Sequence, residues 1–285
     1  MSTYERRFCM QNVVCLTKFA VLPKMYEALS LKQLTTEELD RLQSEPVLYS
    51  PFDTVMIRVK DTNISLHQFS SFNPLLHTPN LYVELAKIQN EKDLMKFIEI
   101  YGLPLGISKS TSTNCMEELI TITEMDTLDF FEELAQFSDL LSLWYYILNN
   151  EPIQRNFSFI VDGKVVSTET KDPKQIIATV LNSKRSWTES IESYGEKISL
   201  CIRFKNLFEV AYFQLMNAVL NKKPLRRCKE CNSIFEVVHE SQKFCAPRFG
   251  RKRSTCENTY RVRKRRQRQK EKITESNSQE ESGMK

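Results

Sequence analysis

The sequence predicts an α+β fold: a mostly helical amino-terminal body carrying a small β-hairpin, followed by a cysteine-bearing module that ends in a long basic helix. Three observations predict it. Apolar residues recur at helical spacing in several stretches between Asn90 and Val219. A single Asp162-Gly163 pair separates two short runs of strand-forming residues. Near Lys222 both the charge and the use of cysteine change character.

In chain order, Thr35-x-x-Glu38 reads as a capping box opening a short helix through Leu42, and Thr54 to Val59 alternates like a strand. Asn90-Glu91-Lys92-Asp93 starts a helix with Leu94, Phe97, Ile98 and Tyr101 on one face, and Gly102 is placed to stop it. From Asp126 to Leu148 the apolar set, from Phe130 through Trp144 and Tyr145, is broad enough to bury most of a helix. Phe157–Val161 and Lys164–Thr168 then form the hairpin. Asp172-Pro173 caps a helix through Leu181, with proline in its first turn. A last body helix is expected to carry Leu200, Phe204, Leu207, Phe208, Ala211, Leu215, Ala218 and Val219 on one stripe. Asn221-Lys222-Lys223-Pro224 ends it. The domains expected are thus residues 1–223 as the body, 224–272 as the cysteine module with its helix, and 273–285 as a disordered tail rich in Ser, Glu and Gln.

The net charge of +4 hides a strong asymmetry. Residues 1–221 carry 21 Lys and Arg against 28 Asp and Glu, whereas residues 222–272 carry 18 against 5. An acidic body joined to a basic end calls for a polyanionic partner at that end. No run of about 18 apolar residues occurs, so no membrane span and no membrane partner is expected, and the first residues do not read as a signal peptide. Cys9, Cys15, Cys115 and Cys201 lie in or near apolar runs as ordinary buried thiols, which fits a reducing cytoplasm better than a secreted disulfide set.

Cys228, Cys231, Cys245 and Cys256 fall together in one polar segment. A Cys-x-x-Cys turn supplies two thiolates from one knuckle at little loop cost, and four soft ligands with no open position suit one structural zinc ion. Phe235 and Val237 are expected to pair with a return strand at Lys243-Phe244-Cys245, and Cys256 to enter from the start of the final helix, whose N-terminus favours a thiolate. His239 is an alternative ligand, but it falls where a hairpin tip is expected, so the four cysteines are preferred.

Arg226-Arg227-Cys228-Lys229-Glu230-Cys231, Phe235, Phe244-Cys245 and Cys256-x-Asn258 before a run of arginines resemble the C-terminal, treble-clef-like zinc finger of the CGNR family. That family comprises bacterial proteins with a helical N-terminal domain, regarded as transcriptional regulators. The resemblance covers the C-terminal module only, and implies a zinc finger with a role in transcription regulation. This chain departs from the family in reading Cys256-Glu257-Asn258-Thr259 where the family reads Cys-Gly-Asn-Arg, and in a longer insertion from Ala246 to Thr255.

After Cys256 no Gly or Pro interrupts a run of good helix formers, and past Val262 no apolar residue is available to dock the helix. Arg261, Arg263, Lys264, Arg265, Arg266 and Arg268, with Arg251, Lys252 and Arg253 in the preceding loop, are the expected nucleic-acid contacts. Like charges at i and i+4 disfavour a helix by a few tenths of a kcal/mol per pair, so a compensating anion such as phosphate is expected. Only His67, His77 and His239 exist, and no hydrolase, metalloprotease or nucleotide-binding motif appears, so no catalytic residue is assigned. The first reading is a cytoplasmic bacterial DNA-binding regulator whose body senses a ligand or mediates homo-oligomer assembly, with DNA favoured over RNA. The rivals are an interaction protein gripping structured RNA or an acidic protein, and a defence-type effector such as a nuclease that its finger delivers to substrate.

Overall fold

The computed structural model describes residues 13–22, 24–30, 33, 54–60, 70–112, 117–194, 197–247 and 253–282. The chain divides into two compact units, Met1–Asn221 and Lys222–Lys285, at the point of charge reversal. The first begins with β1 (Val13–Cys15), β2 (Thr17–Val21), β3 (Tyr26–Ser30), β4 (Thr54–Val59) and β5 (Ser70–Phe72). Helices α1 (Pro74–His77), α2 (Leu81–Leu85) and α3 (Glu91–Tyr101) follow, then β6 (Ile107–Ser112), β7 (Glu118–Asp126) and α4 (Thr127–Leu148). The unit closes with β8 (Ser158–Val161), β9 (Lys164–Ser167), α5 (Pro173–Ser183), β10 (Thr188–Tyr194), β11 (Lys197–Arg203) and α6 (Leu207–Leu220).

Two sheets, not a helical bundle, frame this body, which corrects the expectation that it is mostly helical. One has six strands in the order β3-β4-β7-β2-β5, with β6 on the other edge of β7. The second runs β1-β11-β10. They are joined at Leu16, which is fully buried between β1 and β2. Its N–H donates to the Ile202 carbonyl at 2.9 Å, while its own carbonyl accepts from Glu118 N at 2.8 Å. Thr17 repeats the link, because its hydroxyl accepts from Phe204 N at 2.8 Å. Periodicity could not reveal these sheets, since β1 pairs with β11 and β2 with β7 in parallel, across long stretches of chain. β6 also reads as a loop, having a single apolar residue, Ile107, in Ile-Ser-Lys-Ser-Thr-Ser. Gly106 admits this strand: its φ is +119°, and a Cβ there would lie 2.0 Å from the Glu124 carbonyl oxygen.

The local helix signals hold. Asn90 caps α3 by accepting from Asp93 N, and Gly102 ends it at φ +80°. Asp126 caps α4, and Asp172 with Pro173 opens α5. The hairpin turns at Asp162 and Gly163, both at positive φ as its turn type requires. Leu200 is a correction: it belongs to β11, and Asn206 caps a helix that starts only at Leu207. Its spacing to Phe204 and Leu207 mimics a helical stripe across a strand and a turn. The short helix expected from Thr35 to Leu42 lies outside the described residues. So do Cys9, Cys115 and His67, whereas Cys15 and Cys201 are buried as expected.

The core lies where α4 crosses α6. Phe137 meets Tyr212 edge-on at 5.0 Å, and Phe130 meets Phe208 at 5.8 Å between ring centroids. Every residue of α6 from Leu207 to Leu215 is buried, so Gln214 needs partners; it accepts from Tyr82 N and donates to the Thr78 carbonyl. Among the described residues no helix is long and apolar enough to cross a membrane.

Thr17→Val keeps the shape of the seam but leaves the buried Phe204 N–H without an acceptor. A loss of about 1–3 kcal/mol is expected in denaturant unfolding. An unchanged midpoint would show that the seam does not depend on this hydroxyl.

Candidate metal centre and adjoining basic helix

The second unit begins with β12 (Leu225–Arg227), which pairs antiparallel with β13 (Ile234–Glu236). The Cys228–Cys231 knuckle is therefore the turn between these strands. Cys228 N donates to the Ser233 carbonyl and the Cys228 carbonyl accepts from Asn232 N, both at 2.9 Å, with Asn232 at φ +59° to reverse the chain. This corrects the expected hairpin. Lys243-Phe244-Cys245 is not a strand paired with Phe235 and Val237; Val237 N instead donates to the Pro224 carbonyl at 2.8 Å, continuing the β12–β13 register. The later segment reaches the knuckle through Lys229 N, which donates to the Lys243 carbonyl at 3.0 Å. Arg226 supports that segment from β12, donating to the Glu240 and Gln242 carbonyls.

Helix α7 (Thr255–Ser282) brings in the last cysteine. Ser254 is buried, and its hydroxyl accepts from Glu257 N at 3.0 Å. The Ser254-x-x-Glu257 pattern is a capping signal that sequence reasoning missed although it stood next to Cys256. The helix continues past Lys272 to Ser282, into the segment expected to be a disordered tail.

The four cysteine sulfurs lie within 4.8 Å of one another. Cys231 Sγ is 3.6 Å from Cys245 Sγ and 3.7 Å from Cys256 Sγ. These separations are too long for a disulfide of about 2.05 Å. They match the roughly 3.8 Å edge of a tetrahedron built from metal–sulfur bonds of about 2.3 Å. Cys228 and Cys245 are buried against Phe235, with Val237, Phe244 and Cys256 packed around them. The cluster can hold one metal ion. Within the cluster the Cys245 thiol, donating to Cys231, holds the Cys231 thiol down to about 4. Burial pushes Cys256 up to about 12, and the Cys231 thiolate adds to the shift. One thiolate is thus stabilised by its neighbours' protons, and a full set requires a cation. His239 is exposed and outside the group.

The helix is fastened to this centre by Tyr260 and Arg263. Tyr260 packs on Phe244 at 5.1 Å between centroids. Arg263 Nη2 lies 2.8 Å from Glu230 Oε2, inside the knuckle, where the Glu230 side chain is only 12% exposed. Arg261 pairs along the helix with Glu257 at 2.6 Å. One of the expected phosphate contacts, Arg263, therefore also serves the module. Lys264 lies over the Tyr260 ring at 5.8 Å. Arg265, Arg266 and Arg268 are exposed, and among the described residues no carboxylate pairs with them. Arg253 is exposed just before the helix cap, while Arg251 and Lys252 lie outside the described residues.

No protein-family model, curated protein or solved structure matches this chain.

Elemental analysis is expected to find about one metal ion per chain, lost in Cys228→Ser with Cys231→Ser together with the fixed structure of the knuckle between β12 and β13. A metal-free double variant whose module keeps its amide-exchange protection would contradict this. Because protonated thiols such as Cys256 must ionise to bind, metal uptake should release protons and weaken as pH falls. Arg263→Ala should leave metal content intact and lower the module's stability by about 1 kcal/mol, since the arginine end of the pair is exposed while Glu230 is not. Full loss of metal in that variant would show that Arg263 does more than hold the helix.

Proposed function

We propose that this protein is a zinc-finger nucleic-acid-binding protein, a DNA-binding transcriptional regulator in which one structural zinc ion anchors the basic helix. Zinc suits the centre because four thiol groups within 4.8 Å of one another favour an ion without redox chemistry or further geometric demand, and four protein ligands leave no position for a reacting water. The resemblance of Arg226 to Asn258 to the CGNR finger points the same way.

One observation carries the reading. Every residue of α7 from Arg261 to Lys270 is exposed, and basic side chains surround the helix. At about 100° per residue, Arg261, Lys264, Arg265 and Arg268 take one side, and Arg263, Arg266 and Lys270 the other. A flat acidic surface or a membrane would use one side only, and a membrane would also need an apolar face. A groove walled by two rows of phosphate uses both. The major groove of B-form DNA, about 12 Å wide, admits a helix about 10–12 Å across, whereas the deep groove of A-form RNA is too narrow. This supports duplex DNA over structured RNA. The acidic body, repelled by phosphate, is left to sense a ligand or to assemble copies of the chain.

Binding to duplex DNA should weaken steeply with salt. Replacing Arg265, Arg266 and Arg268 with Gln should reduce the slope of log affinity against log salt by about 3, if each contacts one phosphate. Tighter binding to RNA, or affinity for a protein that survives high salt, would replace the DNA reading. Cleavage of the DNA in the presence of a divalent metal would replace the regulator with a nuclease.

A further inference from the structure

The way α7 is fastened decides which of its sides can face a ligand. Tyr260 packs on Phe244 at 5.1 Å between ring centroids, so the direction of Tyr260 from the helix axis is the side toward the metal centre. Arg263, which pairs with Glu230 of the knuckle at 2.8 Å, lies about 60° from that direction at about 100° per residue. The side offered to a groove is therefore the opposite one. Counted from Tyr260, the residues Asn258, Val262 and Gln269 fall at about 160°, 200° and 180°, a single uncharged line down that side. All three are exposed. Arg261, Arg265 and Arg268 border the line on one flank, and Arg266 and Lys270 on the other. Val262 is the anomaly in this arrangement. It is 50% exposed, and every other residue from Arg261 to Lys270 is a cation or a glutamine. The apolar cluster of the module, built on Cys228, Phe235 and Cys245, does not include it.

We propose that Asn258, Val262 and Gln269 read base edges in the major groove of duplex DNA and select sites containing A·T pairs. This rests on the DNA-binding reading. It supplies sequence preference, which arginine contacts to phosphate cannot, because they set register and orientation but carry no base information. The carboxamides of Asn258 and Gln269 can each donate to adenine N7 while accepting from the adenine amino group, the pattern that adenine presents in that groove. Val262 can set its methyl groups against the thymine C5 methyl, which takes both apolar surfaces out of water. The three side chains are spread over about 16 Å of helix, enough to reach separate base pairs. The basic rows on the two flanks then meet the phosphates on either wall of the groove. Gln267 carries the same carboxamide as Gln269 but falls within about 20° of Tyr260, toward the module, and takes no part in the reading.

The test is selection of binding sites from a randomised duplex library by the full-length, metal-replete protein. Affinities are then measured over a salt series for the selected site and for sites changed at single base pairs. The unaltered chain is expected to select a short site containing A·T pairs. Val262→Ser and Gln269→Ala should each lower the preference for that site over its single-pair variants, at one position, by about fivefold or more. The slope of log affinity against log salt should stay as it was, because neither side chain meets a phosphate. Gln267→Ala should leave the selected site unchanged. The substituted positions are exposed, so the variants should keep their fold, which metal content and circular dichroism check. Absence of salt-dependent binding to any duplex would overturn the DNA reading and this inference with it. Salt-dependent binding with no selected site, a site without A·T pairs, or the same preferences in both variants as in the unaltered chain would overturn the inference alone.

Discussion

Four thiol groups brought within 4.8 Å of one another cannot all ionise in each other's company, and the carboxy-terminal unit is arranged around that constraint. Cys231 is favoured as a thiolate because Cys245 donates to it, and Cys256 resists ionisation because it is buried and lies beside that thiolate. The elements that supply the sulfurs are small: two three-residue strands, a loop and the first turn of a helix. Their apolar cluster, Cys228, Phe235 and Cys245 with three partly buried neighbours, is much smaller than the core of a free-standing domain. A metal ion can contribute the stability that so little buried surface cannot, and the start of the basic helix takes its position from that centre.

The arginines of that helix do different work according to where they fall. Arg263 is held by Glu230 in the knuckle and so seats the helix, while Arg261 pairs with Glu257 one turn back along the same helix. Tyr260 packs on Phe244 at the base of the helix, and Arg265, Arg266 and Arg268 beyond it are exposed. A helix seated at its base and basic around its circumference is suited to a ligand that surrounds it.

The body has its own unifying feature. The extended run through Leu16 gives its backbone hydrogen bonds to both sheets, so one buried residue couples strands from opposite ends of the unit. On that frame α4 and α6 pack their aromatic faces together, and Glu133 ties them at the edge by accepting from Tyr212 and from Lys184. Glu209, buried on α6, is satisfied by the Ser186 hydroxyl and by Lys205 N.

What the sequence by itself determined was local. The caps at Asn90, Asp126 and Asp172, the Asp162-Gly163 turn, the Thr54–Val59 strand, the Cys-x-x-Cys knuckle and the basic run all depend on residues a few positions apart, where backbone preference and side-chain reach are sufficient. Ser254-x-x-Glu257 was equally legible and overlooked. Only the tertiary structure decided that the body is built on two sheets, that Leu200 lies in a strand, that β13 pairs with β12, and that Arg263 reaches Glu230. Parallel pairing such as Val13 with Leu200 leaves no mark on either segment's own pattern. Its stability comes from closing a long loop against a distant partner, a term that no window of neighbouring residues contains.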